Sequence, residues 1–216
     1  MVTRGDAEWS IYQGLRSLPR RPYLVAMWIL GGELRTLYAP WTRGEKVLTL
    51  MASTMDLVRE AAISGESPEL ARRALDLGRA WKPVLRAADR VDSGTSGGLL
   101  NTWGTFALLA QEIGGLARRY AAASWVADAA TERWRDLSEP GPILVSVEME
   151  EEVVESSPMG QTLARFERIL SGVSGQVSPE WDPARIRAAI LGQPSEDEPF
   201  PETPRRRPGT RPRRSA

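Results

Sequence analysis

Cysteine and histidine are both absent from the 216 residues of this chain, and lysine occurs only at positions 46 and 82. Without cysteine there is no disulfide, thiolate nucleophile, iron–sulfur cluster or Cys-type zinc site. Without histidine the usual general base and the commonest metal ligand are missing. A long apolar run is also lacking. The longest, Tyr23 to Leu30, is stopped by Gly31-Gly32-Glu33, far short of the roughly 20 residues that span a bilayer. Residues 1–18 carry Arg4, Asp6, Glu8 and Arg16 and no signal-type apolar stretch, so the sequence predicts a cytoplasmic protein with no membrane association. Arginine in place of lysine, together with abundant alanine, is the composition of a GC-rich bacterial genome.

Net charge is absent too, with 28 basic against 28 acidic groups, yet the charges are segregated. Residues 1–139 hold 18 basic and 16 acidic side chains, residues 140–203 hold 4 and 12, and residues 204–216 hold 6 arginines and no acid. Blocks of opposite sign attract each other or separate partners, within the roughly 8 Å that physiological salt leaves unscreened.

What is present is helical punctuation and period. From Asp6 to Leu137 apolar residues recur at three- and four-residue spacing. Trp9, Tyr12 and Leu15 predict a short first helix, and Tyr23 to Tyr38, apolar on most sides, predicts a central buried one. Thr42 with Glu45 has the spacing of a capping box ahead of Leu48, Met51, Met55, Val58 and Ala62, and Gly65 closes that helix. Ser67-Pro68 opens the next, along Leu70, Ala74, Leu77, Trp81, Val84 and Ala88, with Pro83 predicting a kink or an early end. The period resumes at Leu99, Trp103, Phe106, Ala110, Ile113, Ala117 and Tyr120 and continues to Trp134. Gly114-Gly115 predicts a bend or split, and Ala121 to Ser124 a close helix–helix approach.

Pro140-Gly141-Pro142 ends this pattern. Ile143, Val145, Val147 and Met149 then alternate with Leu144, Ser146, Glu148 and Glu150, a strand signal whose unpaired edge needs Val153-Val154, another chain or a peptide. Ser157-Pro158 and Asp182-Pro183 each start a further helix, the second with Trp181 and Ile186 spaced as a hydrophobic staple. Six prolines between 194 and 212 and almost no apolar residue beyond Phe200 predict a disordered tail. The expected architecture is therefore an all-α multi-helix bundle over residues 6–138. An acidic strand with two short helices follows over 139–192 as a docking region, then a proline-rich tail over 193–216 that ends in arginines.

Candidate chemistry is sparse. Asp92 to Gly98 superficially resembles a serine-protease nucleophile loop, but no histidine exists to take the serine proton. As a phosphate cradle the loop lacks both a P-loop lysine and a preceding strand, which leaves a connector whose Ser96 caps the next helix. Glu148, Glu150, Glu151, Glu152 and Glu155 are consecutive enough to point to both sides of the chain, unlike a magnesium site assembled from separate elements. No catalytic residue, cofactor or metal site is predicted, and carboxylate or Ser/Lys chemistry would have only Lys46, Lys82 and scattered acids. The eight tryptophans divide into Trp28, Trp81, Trp103 and Trp134 on apolar stripes, which suit a core, and Trp9, Trp41, Trp125 and Trp181, which include candidate anchors for a partner. The predicted partner-binding residues are Val145, Val147, Met149 and Trp181. Arg205, Arg206, Arg207, Arg211, Arg213 and Arg214 are the predicted contacts to phosphate or to an acidic partner. The expected function is a non-catalytic interaction or regulatory subunit of a bacterial cytoplasmic assembly, which binds another protein or itself through 143–192. The alternative is a helical nucleic-acid-associated protein that grips phosphate with its tail.

Overall fold

A computed structural model describes residues 2–42, 44–88, 97–132, 154–174 and 188. Among them are seven α-helices, a 3-10 turn at Ala39–Trp41, and no strand. The helices are α1 (Arg4–Ser17), α2 (Arg20–Tyr38), α3 (Glu45–Ser64), α4 (Pro68–Ala88), α5 (Gly97–Ile113), α6 (Ala121–Glu132) and α7 (Pro158–Ser174). The expected strand residues Ile143 to Met149, the helix after Asp182, Trp134, Trp181 and the arginine tail lie outside the described residues.

The apolar run 23–30 makes α2 the axis of the bundle. Twelve of its residues are buried, from Tyr23 through Gly32 and on to Leu34 and Tyr38, and it touches α3, α5, α6 and α7 as well as α1. Around it α5 packs on α6, α4 and α3, while α1 lies between α6 and α7. Close approach is bought with glycine at the crossings. A Cβ on Gly31 would stand 2.6 Å from Met55 Sδ, and one on Gly104 would stand 2.0 Å from the Trp125 ring. The small residues at the start of α6 act in the same way: Ala122 and Ala123 are fully buried against its neighbours.

Several helix ends follow the expected chemistry. Ser67 Oγ accepts from Leu70 N at 3.2 Å, and Gly65 closes α3 at φ +83°, a left-handed conformation that costs glycine little. Thr42 is a correction. The start of α3 is Gly44, with no side-chain cap, because the Thr42 hydroxyl donates instead to Tyr38 O at 3.0 Å at the end of the 3-10 turn. The unforeseen capping box is at Thr3 and Asp6 on α1. Pro83 does not end α4, which runs on to Ala88.

The first helix is also turned from its expected face. Ala7, Ile11 and Leu15 are buried, Tyr12 is half-buried, and Trp9 is 62% exposed. Gly114-Gly115 splits the long period as expected, so Ala117 and Tyr120 fall in the connection between α5 and α6. Beyond it, α7 presents Leu163, Phe166, Ile169, Leu170 and Val173 to the same core. Its Leu170 sits at Gly14 of α1, and its Arg165 pairs with Glu33 of α2.

Candidate functional site

Among the described residues one carboxylate is buried, and the sequence offers a single cue to it: Glu112 falls three residues after Leu109 on the apolar arc of α5, two residues before the Gly114-Gly115 break. Glu112 is 6% exposed. Its Oε1 accepts from Arg20 Nη1 at 3.1 Å and from Tyr120 N at 2.7 Å. Its Oε2 accepts from the Tyr23 hydroxyl at 2.9 Å and from Ala122 N at 2.8 Å. Four donors occupy the approximately four lone-pair positions of a carboxylate, so its acceptor capacity is used within the fold.

The four donors come from the start of α2, the α5–α6 connection and the first turn of α6, so the carboxylate ties three parts of the chain together. Arg20 extends the network through a two-pronged contact with Glu66, Nε to Oε2 at 3.0 Å and Nη2 to Oε1 at 2.7 Å. Next to it, Arg21 Nε donates to Ala62 O at 3.0 Å and Arg21 Nη2 to Ile63 O, where it meets carbonyls left open at the end of α3. Burial opposes the Arg20 charge, but the hydrogen bond and charge of Glu66, joined by those of Glu112, outweigh it and raise the guanidinium pKa.

Tyr120 carries the local strain. Its φ of +64° makes it the one non-glycine residue with positive φ among those described, a conformation that costs an L-residue roughly 1–2 kcal/mol. Three contacts hold it there: its N–H on Glu112, its hydroxyl donating to Leu18 O at 2.7 Å, and its ring edge-on to Tyr23 at 4.7 Å between centroids.

Tyr23 is fully buried. Burial first, then the charge and hydrogen bond of Glu112, push its pKa well above the ordinary 10.0. Below pH about 10 both folded and unfolded chains keep this phenol protonated. Above it the unfolded chain releases the proton and the folded chain does not, so unfolding gains about 1.4 kcal/mol per pH unit from this group. Urea titrations between pH 9 and 11.5 are expected to show that decline in the native protein. Tyr23→Phe is expected to flatten it, at a cost of about 1–3 kcal/mol at neutral pH because Glu112 loses a donor. An identical slope in both proteins would remove Tyr23 as its source.

The outer surface is different in kind. Trp9 is 62% and Trp125 37% exposed, and Leu116 in the α5–α6 connection is 69% exposed. The Trp9 ring stands 5.8 Å from that of Tyr12, and Arg16 Cζ lies 5.9 Å from the Tyr12 centroid on the other side along the helix. Of the tryptophans expected in the core, Trp81 is fully buried and Trp28 5% exposed, while Trp103 is half-buried at the margin. Trp41 is half-buried, and its Nε1 has no hydrogen-bond partner.

Val145, Val147, Met149, Trp181, Arg205, Arg206, Arg207, Arg211, Arg213 and Arg214 lie outside the described residues. Of the acidic cluster only Glu155 is described, in the turn before α7. No group of three or more Asp or Glu side chains suited to a metal occurs among the described residues, and no described helix is long and apolar enough to cross a membrane. No known protein family, curated protein or solved structure matches the chain.

Proposed function

We propose that this chain is a non-catalytic interaction or regulatory subunit of a bacterial cytoplasmic assembly. In this reading the helical bundle is the body, and residues 143–192 supply the docking element through Val145, Val147, Met149 and Trp181. The observation that carries the reading is the solvent exposure of indoles, foremost Trp9, on helices whose opposite faces are well buried. Exposed tryptophan is a costly surface residue and a frequent binding anchor. The buried carboxylate, by contrast, has its acceptor capacity filled from within the fold.

The apolar alternation at 143–149 is suited to adding a strand to a partner's sheet edge. Replacing Val145 and Val147 by lysine is expected to abolish partner association while the far-UV helical signal stays unchanged. The measurement is a quantitative pull-down from the native host with native and doubly substituted bait, read by mass spectrometry. Enrichment of the same proteins by both baits would exclude the 143–149 segment as the docking element.

The six arginines between 204 and 216 favour one second reading, a nucleic-acid-associated protein. Salt separates the two. Phosphate contacts made by the tail lower log affinity for duplex DNA by about 0.9 per neutralised phosphate for each unit of log salt, whereas an apolar docking surface is insensitive to it. Equal DNA binding by the intact chain and by a chain ending at Thr203 would eliminate the tail as a phosphate grip.

A further inference from the structure

The solvent face of α1 has a sequence of chemistry that is complementary to itself. At about 100° per residue, Asp6, Trp9, Gln13 and Arg16 fall on one stripe, opposite the buried Ala7, Ile11 and Leu15. Trp9 lies about 160° round the helix from Ile11. Asp6, Trp9 and Arg16 are exposed and Gln13 is half-buried. The stripe thus has an acid at its N-terminal end, a base at its C-terminal end and an indole between them.

We propose that a second copy of this chain covers this stripe, by antiparallel pairing of α1 with α1 about a two-fold axis near Ile11. A two-fold interface places the same patch against itself, so residue i of one protomer meets residue j of its partner and the reverse. With the axis at position 11, Asp6 meets Arg16 of the other copy twice, once at each end. The two Trp9 residues are then separated along the axis by four residues of rise, about 6 Å at 1.5 Å per residue, inside the range at which aromatic rings attract. A parallel arrangement would instead set Asp6 on Asp6 and Arg16 on Arg16, so the charges select the antiparallel one. The helix dipoles favour the same choice.

The side chains are held ready for it. The Asp6 contacts with Thr3 N and Thr3 Oγ1 both end on Oδ2, which leaves Oδ1 for a guanidinium of the partner subunit. Tyr12 braces the indole and is itself flanked by Arg16, whose Nη1 donates to the Tyr12 hydroxyl at 3.4 Å. A single helix pair buries less than the roughly 1,200 Å² of a standard interface, so the dimer belongs to the weak, transient class.

Sedimentation equilibrium of the full chain, from about 1 μM to about 1 mM so as to bracket such affinities, reads it directly. The native protein is expected to dimerise reversibly, and Trp9→Glu and Arg16→Glu each to weaken the dimer at least tenfold with the helical signal unchanged. Asp6→Arg also removes the α1 cap, so it is used in a mixture rather than alone. Neither Arg16→Glu nor Asp6→Arg can pair with itself, but the two together restore opposite charges at both ends and are expected to form a heterodimer. A native protein that stays monomeric, a Trp9→Glu protein that dimerises as the native does, or a mixture that does not associate would each overturn the proposal. Loss of dimer in Val145→Lys/Val147→Lys with none in Trp9→Glu would assign self-association to 143–192, overturning the α1 pairing while leaving the docking reading in place.

Discussion

Replacing Glu112 by alanine is expected to cost on the order of 3–5 kcal/mol, the range for removing one partner of a buried ionic contact. The loss is not that of one ion pair. Arg20 keeps Glu66, but the Tyr23 hydroxyl, Tyr120 N and Ala122 N are all left without their acceptor, and each buried donor so stranded costs about 1–3 kcal/mol. With the Tyr120 N–H released, the backbone strain at φ +64° is held only by the hydroxyl on Leu18 O and the ring on Tyr23. Urea denaturation of the native and substituted proteins measures the total. Amide exchange locates it: protection should fall first at Tyr120 and Ala122 and along the connection from Gly114, before the rest of the bundle opens. A loss below about 1 kcal/mol would mean that water replaces the carboxylate without penalty, which a buried site makes unfavourable.

Glu112→Gln sharpens the same expectation. The amide keeps one oxygen, and where its nitrogen faces Tyr23 the phenol can rotate and accept. On that side only Ala122 N must then lose its bond, whereas a nitrogen on the other side would face both Arg20 Nη1 and Tyr120 N, neither of which can accept, so the Tyr23-facing orientation is favoured. The expected cost is therefore smaller, about 1–3 kcal/mol. The order Ala, then Gln, then native identifies hydrogen bonding rather than packing volume as the source.

The helical frame was legible because it rests on local rules. Punctuation at Gly65, Ser67-Pro68, Gly114-Gly115 and Ser157-Pro158 acts within one or two turns, and the period of α3, α4 and α7 reports a face that each helix must bury. The interior of α2 was legible for a stronger reason, since a run apolar on all sides has no other place to go. Where competing local bonds existed, the pattern misled. Thr42 had the spacing of a cap, but Tyr38 O lay one turn back and took its hydroxyl. Trp9 and Tyr12 shared a three-residue spacing with Leu15, yet Ala7 and Ile11 lie on the same arc as Leu15 and occupy the buried face. The Glu112 network was hidden because its partners are distant in sequence. Arg20 and Tyr23 lie some ninety residues before it, and no spacing rule links them. Only the polar intrusion on an apolar arc hinted at it. The docking residues 143–149 and the arginines after 204 are legible as chemistry alone, since their positions fall outside the described residues.

Trp81→Ala is expected to match Glu112→Ala in size for a different reason. Trp81 is fully buried on α4, its ring lies stacked on Phe106 with centroids 6.3 Å apart and planes 11° from parallel, and its Nε1 donates to Thr54 Oγ1 at 3.0 Å. Thr54 is itself fully buried and donates to Leu50 O, so the indole joins α4 to α3 and α5 at one point. Emptying such a site costs about 3–5 kcal/mol, part of it lost transfer energy and part the cavity that remains. Trp81→Phe fills most of the cavity but strands no buried N–H, and should cost less than half as much. Trp103 offers the contrast. It lies on the stripe predicted for the core, but it is half-buried and its Nε1 reaches Thr42 Oγ1 at 3.4 Å, so its alanine substitution leaves a gap that water can enter. A loss of about 1 kcal/mol is expected there, the ordinary size for a point substitution. Denaturant melts of the three variants decide the matter through their order. Equal losses at Trp81 and Trp103 would place both indoles at the same depth and contradict the packing of α4 against α5. A Trp81 loss near 1 kcal/mol would show that the α3–α4–α5 junction closes over the missing ring.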